Sequence, residues 1–301
     1  MWHCRTYPDL VIRTALARPE WTARARAHEA AVDALTSGHR ERRARGERHP
    51  VEDFLFEYYN HKPAQLRRWH PGPGVALEEA RDSPFAERSG YVVDGAGTAR
   101  LDVADVVERR GRTLGFVREL LTATLSRPGT HDCFGLHEWA MVHRLQPGEQ
   151  RHEQLPLRLG QEATDAVVES HRIRCSHYDA YRFFTPAAVG LNTIRPTRED
   201  QVEHEQPACL HAGMDVYKWC FKLAPAVPSD LTLDAFRHAL RVRRLDMQAS
   251  PYDITGFGLD PVAIETGEGK AEYVARQREL MVTSNSLRRR LLEVIETLTP
   301  A

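Results

Sequence analysis

The apolar positions of this chain recur mostly at helical intervals. Across residues 102–126, Val103, Val106, Val107, Leu114, Val117, Leu120, Leu121 and Leu125 fall mostly three or four apart, which predicts one long helix stopped by RPGT. Leu233, Phe236, Leu240 and Leu245 predict another, with Ser229 as its N-cap. A third is expected over about 210–223, and a highly charged fourth over about 269–298, covering the core from outside. Near the start, residues 20–35 read as a helix followed by a charged stretch. Pro50, Glu52 and Asp53 suit a helix N-terminus, with Phe54, Leu55, Tyr58 and Tyr59 on the buried face behind them.

Strand signals are sparse. Residues 71–100 carry turn residues at short intervals and read as irregular surface structure with a short strand at Tyr91–Val93. Val167, Glu169, His171 and Ile173 alternate with other residues, which fits a strand before a helical turn at 177–184. The expected fold class is mainly α: a single multi-helix globular domain with a short β element. Residues 1–48 read as a charged helical N-terminal segment, and 49–301 as the main helical domain.

The chain has 301 residues, 28% charged and 42% hydrophobic, an ordinary globular profile with room for a sizeable core. A net charge of −1 advertises no global affinity for nucleic acid, although the run HRERRARGERH at 39–49 allows a local basic face. Five cysteines without a CxxC pair, and an opening MWHCRTYPDL without an apolar signal segment, lead us to expect reduced thiols and a cytoplasmic protein. No apolar run approaches the ~20 residues that span a bilayer, so no membrane partner is expected. P-loop, dinucleotide and GxSxG motifs are absent.

Histidine changes the picture. Eight of the fifteen lie between His131 and His211, where even spacing would place about four. In HDCFGLHEWAMVH, His137 and Glu138 are adjacent and would point ~100° apart on a helix. Met141 rules out an HExxH zinc motif. In SHYDAYRFF, His177 and Asp179 lie beside Tyr178, Tyr181, Arg182 and Phe183, a set that suits a flat ring such as a nucleobase or, equally, a packed aromatic core. In CLHAGMDVYKWC, His211 and Asp215 can share one helical face, with Lys218 placed to pair with Asp215 and Trp219 beside it. That trio serves a metal, a general base or a buried polar network. Candidate catalytic residues are Asp179, Asp215, His211 and Glu138. Candidate ligands for a divalent iron, manganese or zinc are His137, His171, His177, His211 and Asp215.

The strings HPVEDFLFEYY, PAQLRRWHPG, SHYDAYRFFTPAA, LHAGMDVYKWCFKL and RRLDMQASPYD together resemble a family of actinobacterial proteins named 3-methyladenine DNA glycosylase, from His49 to the C-terminal helix. The resemblance implies a DNA-repair hydrolase that flips an alkylated base and cuts its N-glycosidic bond. Such an enzyme needs a carboxylate (Asp179 or Asp215), an aromatic pocket (Tyr178, Tyr181, Phe183, Trp219) and phosphate contacts (Arg67, Arg68 and the arginines of the 40s). No helix–hairpin–helix element is visible in the sequence. Three readings stay open: a base-excision enzyme on alkylated DNA, a metal-dependent oxygenase or hydrolase on a small molecule, and a non-enzymatic helical binding protein. The metal reading requires His137, His171 or His177 to converge with His211 and Asp215.

Overall fold

The structure, a computed structural model, describes residues 11–146, 149 and 155–299. The opening segment, with Cys4, lies outside the described residues. The described residues form twelve α-helices: α1 (Arg18–Ala44), α2 (Phe54–Tyr58), α3 (Pro63–Leu66), α4 (Val103–Ser126), α5 (Leu136–Ala140), α6 (Gly160–Glu169), α7 (Tyr178–Tyr181), α8 (Pro186–Val189), α9 (Gln201–His204), α10 (Leu210–Lys222), α11 (Ser229–Gln248) and α12 (Gly267–Leu298). Four short strands, β1 (Thr14–Leu16), β2 (Val75–Leu77), β3 (Tyr91–Val93) and β4 (Ala99–Leu101), make one sheet in the order β1-β2-β4-β3. Its first pair is parallel and the others antiparallel. The fold is mainly α, as the periodicity predicts.

α10 is the axis of the molecule. Every residue from Leu210 to Cys220 is buried, and α11 and α12 both pack against it. A helix this fully buried pairs most of its polar groups internally, because an unpaired one would face no water. Close approach is built in at Gly213, where a Cβ would stand 2.8 Å from the Ser284 hydroxyl of α12. α4 packs on the other flank of α12. The sheet covers a separate small core of Leu16, Trp21, Trp69, Leu77, Ala80, Phe85 and Ala99.

Several local expectations need correction. α1 runs past the expected end near residue 35 to Ala44, through the charged stretch, and His39 and Arg42 turn inward to Asp53 at 2.8 and 2.7 Å. Residues 160–169 are a helix, not part of a strand: Thr164 and Val168, four apart, share its buried side. The chain then runs extended to His177, with a single bridge between Ile173 and Asn192. Three strands beyond the expected one appear between residues 14 and 101. Pro228 occupies the N-cap of α11 and Ser229 its first turn, where the Ser229 hydroxyl accepts from the His70 amide at 2.8 Å.

Candidate functional site

Five segments deliver the buried histidines and acids to one region. α5 is launched by Gly135 in the left-handed conformation (φ 75°), where a Cβ would sit 3.2 Å from the Ala249 Cβ. This turn lays His137 and Glu138 against α11, and the Trp139 indole locks the contact by donating to the Ala249 carbonyl at 2.8 Å. The extended segment before α7 is clamped by Asn192, which accepts from the Cys175 amide at 2.7 Å and donates to the Cys175 carbonyl at 3.0 Å. That clamp turns His177 inward, to 1% exposure. α10 supplies His211, Asp215 and Lys218, and α11 supplies Arg243 and Asp246.

These residues form two neighbouring triads, His137–His211–Asp246 and His177–Glu205–Asp215. Within each, one potential ligand atom per residue lies within 4.8 Å of the others, and every member is buried. The His211 ring joins the two, 4.5 Å from the His137 ring and 5.4 Å from the His177 ring, centroid to centroid.

In the first triad, His137 Nε2 meets Asp246 Oδ1 at 2.8 Å. Arg243 takes the other oxygen, Oδ2, at 2.6 Å, and also donates to Glu138 at 2.8 Å. Burial disfavours a charged imidazole at His137, but the Asp246 carboxylate outweighs it and holds the His137 pKa well above the usual histidine range. Burial and the cationic His137 do the reverse to His211, whose pKa lies well below that range, leaving it neutral. The His211 ring makes no side-chain hydrogen bond among the described residues. Together with Glu138 and Arg243, it faces a cavity of about 450 Å³, walled by Phe54, Tyr58, Phe183 and Tyr252 and rimmed by Arg48, Glu57 and Arg182.

The second triad is differently filled. Asp215 Oδ2 accepts from His177 Nε2 at 3.2 Å and from the Lys218 ammonium, while Oδ1 accepts from the Tyr59 hydroxyl at 2.8 Å. Burial opposes ionisation of Asp215, but Lys218 and His177 override it and hold its pKa far below the carboxylate range. Glu205 is held by Gln201, which donates to it at 2.9 Å. His211 and Asp215, four apart on α10, therefore belong to different triads and do not bond each other.

The other sequence candidates scatter. Asp179 lies at the cavity wall, paired with Arg182 at 3.1 Å and approached by Lys218 at 3.6 Å. Tyr178 and Trp219 line a separate cavity with Lys218 and Arg182. Tyr181 packs edge-on against Phe184, away from both. His171 is only partly buried; its Nδ1 faces the Val167 carbonyl at 2.6 Å, outside both triads. Arg67 pairs with Glu29 and Asp33 on the α1 surface, and neither it nor exposed Arg68 reaches either cavity. Sequence reasoning missed Asp246 and Arg243. The signal was there: an Arg-x-x-Asp pair, one turn apart, inside the apolar stripe of α11.

No family model, no curated protein and no solved structure matches this chain.

Proposed function

We propose that the protein is a metal-dependent enzyme acting on a small molecule, with its centre at His137, His211 and Asp246 and divalent iron the first metal to test. One observation carries this reading: histidines from α5 and α10 and a carboxylate from α11 converge, buried, beside a cavity that only His211 opens onto among the three. Two histidines and one carboxylate are the donor set that favours non-haem iron over a thiolate-type site, with zinc and manganese as competitors. The donor atoms fit once His137 gives up its proton: His137 Nε2 and Asp246 Oδ1 stand 2.8 Å apart, close to the ~3.0 Å edge between two ligands bonded at ~2.1 Å, and a metal would displace the proton shared between them. Arg243 holds the oxygen that faces away, fixing the carboxylate without occupying its inner face.

His137, His211 and Asp246 would hold the metal, and divalent iron bound there would supply dioxygen chemistry. The chain supplies the rest. Phe54, Tyr58 and Phe183 line the cavity with apolar surface, Arg48 and Arg182 bring charge to it, and Glu138, held by Arg243, adds a carboxylate. The test is elemental analysis of untagged protein. We expect near-stoichiometric metal that is lost in His211→Ala; metal-free protein refutes the reading.

A second reading, hydrolysis of the N-glycosidic bond of an alkylated base, draws support from the same cavity. It combines aromatic walls with Glu57, Glu138 and Asp179 as carboxylates and with exposed arginines for phosphates. Its test is base release from alkylated DNA: Asp179→Asn should abolish it, and a wild type that releases no base sinks this reading.

A further inference from the structure

Beyond the two triads, a second cavity of about 510 Å³ opens on the opposite side of Tyr58, Asp179 and Arg182. Its volume lies within the range of small-molecule sites. Four cations line it, Arg182, Arg198, Lys218 and Lys222, against one carboxylate, Asp179. The imbalance is larger than that count suggests. Asp179 is already engaged by Arg182 and Lys218, and Lys218 by Asp215. Arg198 and Lys222 have no carboxylate partner among the described residues; they lie over the rings of Tyr178 and Trp219, at 5.7 and 5.4 Å from the centroids.

Crowding unpaired cations on a partly apolar wall costs free energy unless an anion joins them. Partial burial and the repulsion of Lys218 both lower the affinity of Lys222 for its proton, which is the signature of that crowding. Tyr58, Tyr178, Phe116 and Trp219 line the cavity beside the charge; the Trp219 ring is buried under Lys218 and Lys222, while Tyr178 is only half-buried. Plain surface lysines would not have this arrangement, since Lys218, which lines the cavity, is itself buried to 8% exposure.

We propose that this cavity binds a small molecule made of a flat aromatic ring bearing a phosphate, the ring beside Tyr178 and the phosphate between Arg198 and Lys222. The assignment stands apart from the metal centre, because it concerns binding alone.

The test is isothermal titration calorimetry with adenosine monophosphate and with adenosine, each with and without a chelator. Adenosine monophosphate should bind about tenfold tighter than adenosine or better. The preference should shrink at high salt, as screening weakens the phosphate contacts. Arg198→Gln and Lys222→Gln, both at exposed positions and so compatible with folding, should each weaken the monophosphate about threefold or more and leave adenosine unchanged. Tyr178→Ala should weaken both ligands. Equal affinity for the two ligands, no binding by about 5 mM, or full binding in the Arg198→Gln/Lys222→Gln double variant each overturns the proposal. Any of these leaves the metal reading untouched.

Discussion

The two triads use the same chemistry and are built for different ends. Each places histidine nitrogen against a buried carboxylate beside a buried cation. In the second, the Lys218 ammonium and His177 bond the same Asp215 oxygen, and Tyr59 takes the other. The place a metal would take beside that carboxylate is filled by the protein's own cation. In the first, Arg243 bonds the outer oxygen of Asp246 and leaves the inner one to His137, while His211 opens onto a cavity. What separates a structural polar network from a candidate metal centre is therefore which oxygen the internal cation takes, and whether any ligand meets solvent space.

The comparison breaks first at Asp246. Asp246→Asn leaves buried Arg243 with Glu138 alone and removes the carboxylate that keeps His137 charged, and losing one partner of a buried pair costs about 3–5 kcal/mol. We expect a loss of that order by chemical denaturation, together with metal content below about a tenth of wild type. A chelator should lower the melting temperature of wild type, because bound metal stabilises the folded state by mass action, and should leave that of Asp246→Asn unmoved. Normal metal in Asp246→Asn would place the centre elsewhere.

Lys218→Met attacks the other triad. Asp215 then keeps only His177 and Tyr59, and the expected cost is about 3 kcal/mol. Metal content should stay at the wild-type level. Loss of metal would show that the triads act as one centre; a second equivalent would show that Lys218 merely substitutes for a metal. The pH dependence has a definite sign. Asp215 has a folded pKa below its unfolded value, so its contribution is complete above the ordinary carboxylate range and is lost as pH falls toward the folded pKa. Lys218→Met removes the main charge behind that depression, so stability should fall less between ~pH 5 and pH 2 than in wild type.

His211 separates function from packing. Its ring makes no side-chain hydrogen bond among the described residues and is neutral. His211→Gln should therefore cost only about 1 kcal/mol of stability, since no strong polar contact is lost. Metal should nonetheless disappear. A large stability loss with metal retained would make His211 a core histidine and return the site to the structural reading.

Much of the helical frame was legible, because α4, α10, α11 and α12 each repeat their apolar residues at helical intervals over several turns. That His137, His177, His211 and Asp215 lie in buried His/acid clusters was legible too, from local enrichment and apolar context. The pairings were not. His137 meets Asp246 across 109 residues and His177 meets Asp215 across 38, and no spacing rule reaches that far. Within α10, the i, i+4 rule correctly put His211 and Asp215 in one neighbourhood, yet each turns to a partner from another segment. Asp246 escaped notice because one acid within a helix usually lies on its wet face; only burial of all of α11 around Leu245 and Met247 reveals it.

The smallest effect is expected where sequence and structure disagree most simply. His171 shares the enriched region and was a candidate ligand, but its ring bonds the Val167 carbonyl at the end of α6 and touches neither triad. A partly buried side chain whose ring nitrogen meets only the Val167 carbonyl and the Ser170 hydroxyl locally is worth about 0.5–1 kcal/mol. His171→Ala should lower stability by no more than that and leave metal content at its wild-type value by elemental analysis. Should metal fall with it, enrichment along the chain would outrank convergence in space, and the distinction between the two triads would lose its basis.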